Sequence, residues 1–399
     1  MAQDRTVVVG LSGGIACYKA CDVVRLLTRE GVRVRVVMTA GATRFVTPLT
    51  LQALSGHAVG TDVFDLTQES EIGHIRTADE ADAVVIAPAT ADVLAKMAHG
   101  IADDLLTTIL LATRAPVLVA PAMNVHMWEH PATQANLQLL RKRGVETVGP
   151  GVGSLACGYE GAGRLAEPGE IVERALRLVT PATLAGERVL VSAGPTQEAV
   201  DPVRYLSNRS SGKMGYAVAR VAQRRGAEVT LVTGPCDLPP PPGVRTVPVT
   251  TAADMAEALG REFKRATVLV MAAAVADYRP ARPVPRKVKK GERSTTLALT
   301  RTEDIVTGLA RRKGRRLVVG FAAETHDVER AARGKLQAKG LDLVVANDVT
   351  LPGAGFGTDT NVVRLLGADG TDESLPLLSK DEVAGRILDW IAARRPRRR

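Results

Sequence analysis

Cys157 stands inside "GSLACGYEGAGRLAEPG" (153–169), a run of small residues that also carries Gly158, Gly161 and Gly163. A thiol so placed suits either a glycine loop that cradles phosphate or a flap that carries the thiol to a group held elsewhere. The G-x-x-G-x-G spacing follows no strand-like run and opens no clear helix, which disfavours the phosphate loop. The three glycines are then expected to give a flap its mobility. Ser12 lies in "GLSGG" (10–14), the G-x-S-x-G form of a hydrolase nucleophile elbow. It sits on the very first strand and no HGGG-type oxyanion loop appears, so a Ser12 hydrolase is the weaker alternative. In the stronger reading, Ser12, Gly13 and Gly14 open a helix whose free N–H groups and positive dipole end hold a phosphate. His74 lies in the polar "SEIGHIRTADEAD" just before an apolar run, where an imidazole could serve as a general base.

The second half offers chemistry for anions. "SNRSSGKMG" (207–215) has serine at 207 and methionine at 214 where a Walker P-loop needs glycine and Ser or Thr, so what remains is a helix start rich in small hydroxyls beside Lys213. "RPARPVPRKVKKGER" (279–293) holds seven positive residues against one negative, just after an apolar run ending at Asp277. That suits a flap closing over a polyphosphate. Lys335 and Lys339, four apart in "ERAARGKLQAKG", fall on one helix face and can face the same charge.

The elements that must position these side chains come in two similar sets. An apolar run from Thr6 to Leu11, a glycine turn, a helix-like stretch ending at Gly31 and the run "VRVRVVMT" make one strand-turn-helix-strand unit. "RVLVSAGPTQE", "SGKMGYAVARVAQRR" and "AEVTLVTG" repeat the order in the second half, and "ADAVVIAPATAD" (81–92) finds an echo in "ATVLVMAAAVAD" (266–277). Two doubly wound, Rossmann-like α/β domains with three layers are expected, joined where Thr180, Pro181 and Gly186 interrupt the periodicity, giving 1–182 and 183–399. Ligands of such sheets bind beyond the carboxyl ends of the strands, in the loops after residues 11, 39, 87, 193, 233 and 274. The absence of G-x-G-x-x-G argues against an ordinary dinucleotide site.

Composition narrows the partners. The chain has 399 residues, enough for two cores, and no apolar run approaches the length of a membrane span. Of the net charge of +9, five positive charges belong to the terminal "ARRPRRR", expected as a solvated, disordered end. With aromatics at only 3%, stacking on single-stranded nucleic acid is disfavoured, and the modest remaining charge fits an anionic small molecule. No signal-peptide layout is visible at the start, so a cytoplasmic location is expected, without membrane or nucleic-acid partners. Cys17, Cys21, Cys157 and Cys236 form neither a CxxC pair nor a disulfide framework, and the first two read as small hydrophobes on a helix.

In order along the chain, "SGGIACYKA", "GHI" before "APATAD", "PAMN" (121–124), the "ACG" flap, "DPVRYLSNRSSGKMG", "AAAVADYRP", "KVKK", "GFAAET" and "ANDV" resemble the bacterial bifunctional phosphopantothenoylcysteine decarboxylase / phosphopantothenate-cysteine ligase family of coenzyme A biosynthesis. The resemblance spans essentially the whole chain. It departs at Leu165, where methionine would be expected after Arg164.

The resemblance implies an FMN-binding amino-terminal half and a CTP-dependent ligase in the other. Ser12, Gly13, Gly14 and Thr39, with Pro88, Ala89 and Thr90, would line the FMN site, and Met123 would pack beside it. His74 would be base and orienting group, Asn124 would hold the substrate carboxylate, and Cys157 would donate the final proton. Oxidation of the substrate thiol by the flavin supplies the electron sink that loss of CO2 requires. In the ligase, CTP converts the carboxylate of 4'-phosphopantothenate to an acyl-cytidylate, and cysteine's amine displaces CMP. Met271, Ala272, Ala273, Asp277, Lys287, the Glu303, Asp304, Ile305 and Val306 segment, Phe321, Lys335 and Lys339 match the family's CTP contacts. Asn208 and Arg204 would bind and polarise the acyl-cytidylate. Mg2+ or Mn2+ is implied with no ligand named, and flavin sites formed between subunits imply a homo-oligomer, a dodecamer built of trimers.

Overall fold

The computed structural model describes residues 5–63, 73–154, 158–287, 289, 296–355 and 357–395. They divide into two compact units, Met1–Pro181 and Ala182–Arg399, each described by itself.

In the first unit, β1 (Thr6–Leu11), α1 (Cys17–Arg29), β2 (Arg33–Met38) and α2 (Pro48–Ser55) are followed by α3 (Gly73–Glu80), β3 (Ala83–Ala89), α4 (Ala91–His99) and α5 (Leu105–Ala112). Then come β4 (Val117–Pro121), α6 (Val125–Glu129), α7 (Pro131–Lys142), β5 (Glu146–Thr147), β6 (Gly151–Ser154), β7 (Glu160–Arg164) and α8 (Pro168–Val179). β1 and β3 are buried at every residue, which is why they read as unbroken apolar runs: helices cover both faces of a parallel sheet. The sheet order β2-β1-β3-β4-β5 reverses direction between β1 and β3, so the loops after those strands open a crevice.

The second unit begins with β8 (Arg188–Ala193), β9 (Gln197–Ala199), β10 (Tyr205–Ser207), α9 (Lys213–Arg224), β11 (Glu228–Thr233), β12 (Arg245–Pro248), α10 (Ala252–Phe263) and β13 (Val268–Met271). It continues through β14 (Tyr278–Pro280), β15 (Leu299–Arg301), α11 (Ile305–Ala310), β16 (Leu317–Glu324), α12 (Val328–Lys339) and β17 (Leu343–Asp348). The last elements are β18 (Thr360–Asn361), β19 (Val363–Gly367), β20 (Asp372–Ser374), β21 (Leu378–Ser379) and α13 (Lys380–Ala393). Its sheet, β12-β11-β8-β13-β16-β17-β19-β20, is parallel through β17 and reverses between β8 and β13. Both units are doubly wound α/β folds, with different strand orders.

Several local expectations change. Helix α1 starts at Cys17, whose N–H donates to Gly14, so Ser12–Gly14 form the loop before the helix and not its first turn. The 153–169 segment is not a loop without strands: β6 and β7 pair antiparallel as a hairpin, and α8 opens directly behind it. Glycine, alanine and serine at the paired positions hide that hairpin from any apolar periodicity. Leu165, the departure from the family pattern, is buried in the core below, where leucine fills the space. The basic stretch after Asp277 starts as β14, paired with β15; Val288 and residues 290–295 lie outside the described residues. The first two arginines of the basic tail do not belong to a solvated end, as expected, and the rest of the tail lies outside the described residues. Arg394 lies 4.0 Å from the Trp390 ring and pairs with Asp369, and Arg395 pairs with Glu187, because these arginines close the carboxyl end of α13.

Candidate functional site

In the first unit the crevice is built from the loops after β1, β2, β3 and β4. Ser12 is almost fully buried; its Oγ donates to the Pro88 carbonyl at 2.7 Å and accepts the Thr90 N–H at 2.9 Å. A hydroxyl engaged in this way is no exposed nucleophile, which removes the hydrolase reading. Ser12 instead ties the two loops across the strand reversal. At Gly13 a Cβ would lie 2.9 Å from the backbone of Gly41, so only glycine lets the loops after β1 and β2 touch. Thr39 Oγ accepts the Ala42 N–H and Thr90 caps α4, and each hydroxyl keeps its own proton to donate. The Ala89 carbonyl accepts from Ala122, and Met123 N–H donates to the Gly163 carbonyl at 2.9 Å.

One run of hydrogen bonds thus joins Ser12, Pro88, Ala89, Thr90 and Met123 to the hairpin. Asn124 caps α6, its Oδ1 accepting His126 N–H at 2.8 Å. At Gly163 (φ 145°) a Cβ would stand 2.3 Å from the Met123 carbonyl oxygen, and at Gly161 one would stand 2.8 Å from Val125. These two glycines therefore allow close packing of the hairpin on the Met123–Val125 segment, where mobility was expected; Gly158 alone has open space around it. Cys157 lies outside the described residues. His74, second residue of α3, has its Nδ1 buried with no hydrogen-bond partner among the described residues.

In the second unit a cleft of about 1030 Å³ opens beyond the carboxyl ends of β13, β16 and β17. Asn208, Met271, Ala272, Ala273, Asp277, Glu303, Asp304, Ile305, Val306, Phe321, Lys335 and Lys339 all line it. Ser192 Oγ accepts the Ala273 N–H at 3.1 Å, and Asn208 Nδ2 donates to the carbonyls of Ala274 and Val275, so the loop after β13 is held from both sides. Arg204 and Lys287 are not among the lining residues. Both stand on neighbouring ribbon segments, Arg204 in the turn between β9 and β10 and Lys287 beyond β14.

The electrostatics are uneven. Lys335, on the buried side of α12, donates to the Phe321 carbonyl at 2.6 Å. Burial first, and then the neighbouring Lys339, push its ammonium below the ordinary lysine range, against the pull of Glu324, Asp277 and Asp304. Lys339 pairs with Asp304 at 3.1 Å. Burial pushes the Asp304 carboxyl up, but bonds from Thr307 and the charge of Lys339 outweigh it and hold Asp304 below the usual range. Sequence reasoning did not single out Asn347, Asn361 or Lys380 on the cleft wall. Lys380 Nζ donates to the carbonyls of Thr358 and Thr360, and burial followed by Lys213 pushes it down. Its one sequence signal is the capping box of Ser379 and Glu382, which marks the start of α13 but says nothing of the cleft. Lys213, at the first turn of α9, pairs with Asp359 at 2.7 Å.

Comparisons with known proteins agree with this division. Residues 1–180 match the flavoprotein family and residues 184–394 match the DNA/pantothenate metabolism flavoprotein C-terminal domain. The "Coenzyme A biosynthesis bifunctional protein CoaBC" of Bacillus subtilis (strain 168) is 50% identical over 397 residues, covering 98% of each chain. The proteins of the same name from Mycobacterium bovis and Escherichia coli (strain K12) are 49% and 47% identical, covering 97% and 98% of this chain and 96% and 97% of their own.

Proposed function

This chain belongs to the family of bifunctional coenzyme A biosynthesis proteins, and from that premise we propose how its two units divide the chemistry. It is both a phosphopantothenate-cysteine ligase and a phosphopantothenoylcysteine decarboxylase. The observation that carries the ligase assignment is the cleft of the second unit, where residues 208, 271–275, 277, 303–306, 321, 335 and 339 converge.

A carboxylate resists attack by an amine until one oxygen becomes a leaving group. CTP supplies that by transferring its cytidylyl group to the carboxylate of 4'-phosphopantothenate, with pyrophosphate released; the amine of cysteine then forms the amide and CMP leaves. Lys335 and Lys339 offset the charge of the nucleotide, and the start of α11, with Glu303, Asp304, Ile305 and Val306, faces it beside Phe321. Met271, Ala272, Ala273 and Asp277 form the wall that Ser192 and Asn208 brace. Mg2+ or Mn2+ would offset the negative charge of the triphosphate that the lysines leave uncompensated. Arg204 is half-exposed between the exposed Val203 and Tyr205, outside the cleft of its own chain. It would polarise the acyl-cytidylate in a second copy's cleft, and Lys287 would approach from the segment beyond β14.

The crevice of the first unit fits FMN: Gly13 leaves the meeting of two loops open, the Thr39 and Thr90 hydroxyls can donate to an anion, and His74 Nδ1 awaits a partner. Bound there, FMN would take two electrons from the carbon-sulfur end of the substrate and later return them, which gives the departing carboxylate an electron sink. Gly14 and the loop from Pro88 to Thr90 would frame that site. His74 would accept a proton at Nδ1 and orient the reacting end, while the Asn124 carboxamide, fixed by its bond to His126, would hold the carboxylate. Met123 would pack beside it, and the hairpin would bring Cys157 to return a proton. Exposed Ile15, Tyr18, Phe45 and Leu49 around these loops fit burial against further copies, in keeping with a dodecamer of trimers.

No helix among the described residues is long and apolar enough to cross a membrane. A cytoplasmic enzyme whose partners are its small-molecule substrates and further copies of itself is the reading that the same family membership supports. The test is to incubate the full chain with 4'-phosphopantothenate, CTP and cysteine and follow pyrophosphate, then CO2. Both should appear, pyrophosphate first. Pyrophosphate without CO2 would sink the decarboxylase assignment, and absence of CTP-dependent pyrophosphate would sink the ligase mechanism.

A further inference from the structure

The side chain of Asp201 is wholly removed from solvent. It sits in the turn between β9 and β10, and its two oxygens do different work. Oδ1 accepts the N–H groups of Val203 at 2.8 Å and Arg204 at 2.9 Å, while Oδ2 faces Arg204 Nε at 3.7 Å. The Arg204 carbonyl closes the turn from the other side, accepting from Val200 at 2.8 Å and from Asp201 at 3.2 Å. Burying a carboxylate is costly unless donors and an opposite charge surround it, so a turn that needed only closing would not require one. A buried charge facing a half-exposed guanidinium restricts where that guanidinium can point.

The turn is also the junction of the ribbons beside the cleft. β10 runs from Arg204 directly to Asn208, which braces the cleft wall, and the Val200 carbonyl accepts from Val284 at 3.1 Å, on the segment leading to Lys287. Asp201 thus fixes the start of the short strand that Arg204 precedes and Asn208 follows.

We propose that Asp201 is a positioning residue for the ligase: its carboxylate sets the direction of the Arg204 guanidinium, so that Arg204 meets the acyl-cytidylate as the amine attacks. This rests on the reading of Arg204 given above. The role belongs to the second half-reaction, because Asp201 acts through Arg204 and not through the lysines that face the nucleotide.

The test uses the full-length chain and measures pyrophosphate release and amide formation separately, in Arg204→Ala, Asp201→Ala, Asp201→Asn and the Asp201→Ala/Arg204→Ala double variant. Arg204→Ala and Asp201→Ala should each slow amide formation on the order of 10²-fold, as loss of one preorganised charge donor does. Both should leave the single-turnover burst of pyrophosphate, followed before cysteine is added, at its original rate. The double variant should be no slower than Arg204→Ala, since the two residues act as a unit. Asp201→Asn keeps an acceptor for both N–H groups but loses the charge, and should fall between Asp201→Ala and the parent. If Asp201→Ala does not fold, Asp201→Asn and its own double variant with Arg204→Ala carry the same comparison. Equal slowing of both steps, additive losses in the double variant, or full activity of the Asp201 variants beside an impaired Arg204→Ala would overturn the proposal. Full activity of Arg204→Ala would instead remove the reading of Arg204 itself, and the proposal with it.

Discussion

Two buried serines do the same job in the two units, each at the point where its sheet reverses strand order. Ser12 accepts the Thr90 N–H and Ser192 accepts the Ala273 N–H, so a small hydroxyl fixes the loop across the reversal without filling the crevice. The lysines work by charge, and of the pair on α12 Lys335 is the one whose charge is costly to keep. Burial and Lys339 lower its affinity for a proton in the free protein, whereas a bound triphosphate raises it. Between the lowered value and the ordinary lysine value near 10.4, the free protein is therefore partly deprotonated and CTP binding must take up a proton. Below that window Lys335 is protonated before and after binding, so uptake vanishes. Calorimetric titration in buffers of different ionisation enthalpy should show up to one proton taken up per CTP on the alkaline side, fading toward neutral pH. Lys335→Met should abolish this component and weaken CTP by about 10-fold, in line with loss of a charge-assisted contact. Uptake that persists in the variant would assign it to another group.

At the scale of elements, the β6–β7 hairpin shows why some of the chain was legible and some was not. Its Gly163 lets the backbone pass against Met123, so Gly163→Ala should lift the hairpin away, while Gly158→Ala meets open space and carries only the local backbone strain of its φ of 82°. We expect Gly163→Ala to lower CO2 release by on the order of 10²-fold, since displacement near 1 Å is enough to do so. Pyrophosphate release by the same chain should be unchanged and Gly158→Ala should cost far less. Equal effects of the two substitutions would mean that close approach is not what Gly163 provides. None of this could be read beforehand, because the hairpin pairs Val152 with Ala162 and Gly153 with Gly161, leaving no alternation of apolar residues. By contrast β1 and β3, buried on both faces, announce themselves as apolar runs, and Lys335 and Lys339 announce a shared face by their spacing. Three-residue strands such as β14 and β15 are too short to carry a period. Lys380 reaches the cleft wall only because its helix begins there, a fact of tertiary structure that no local signal encodes.

For the whole molecule, each unit keeps its apolar clusters within its own residues: one set spans Val7 to Val179 and the other Leu184 to Ile391. A change that weakens one core should leave the other's transition in place. The carboxyl end supplies the test. Asp369 accepts the Thr371 N–H at 3.0 Å and its hydroxyl at 2.7 Å and pairs with Arg394, which lies over Trp390, whose Nε1 donates to Thr371 Oγ at 3.0 Å. Burial pushes the Asp369 carboxyl up, but Thr371 and Arg394 outweigh it and hold it at about 2. That lies below the ordinary aspartate value near 3.9, so the folded unit favours the carboxylate. The stabilisation is complete above about pH 4 to 5 and disappears as pH falls toward 2. Because the side chain is 39% exposed, screening by water keeps the contribution to roughly 1 kcal/mol at most. Scanning calorimetry of Asp369→Asn near pH 7 should therefore show the second unit's transition lowered by about 2–4 °C, with the first unit's unmoved. Repeated at falling pH, the gap between parent and variant should close as the parent's own carboxylate protonates. A gap that held constant down to pH 2 would mean that Asp369 anchors α13 by shape and not by charge.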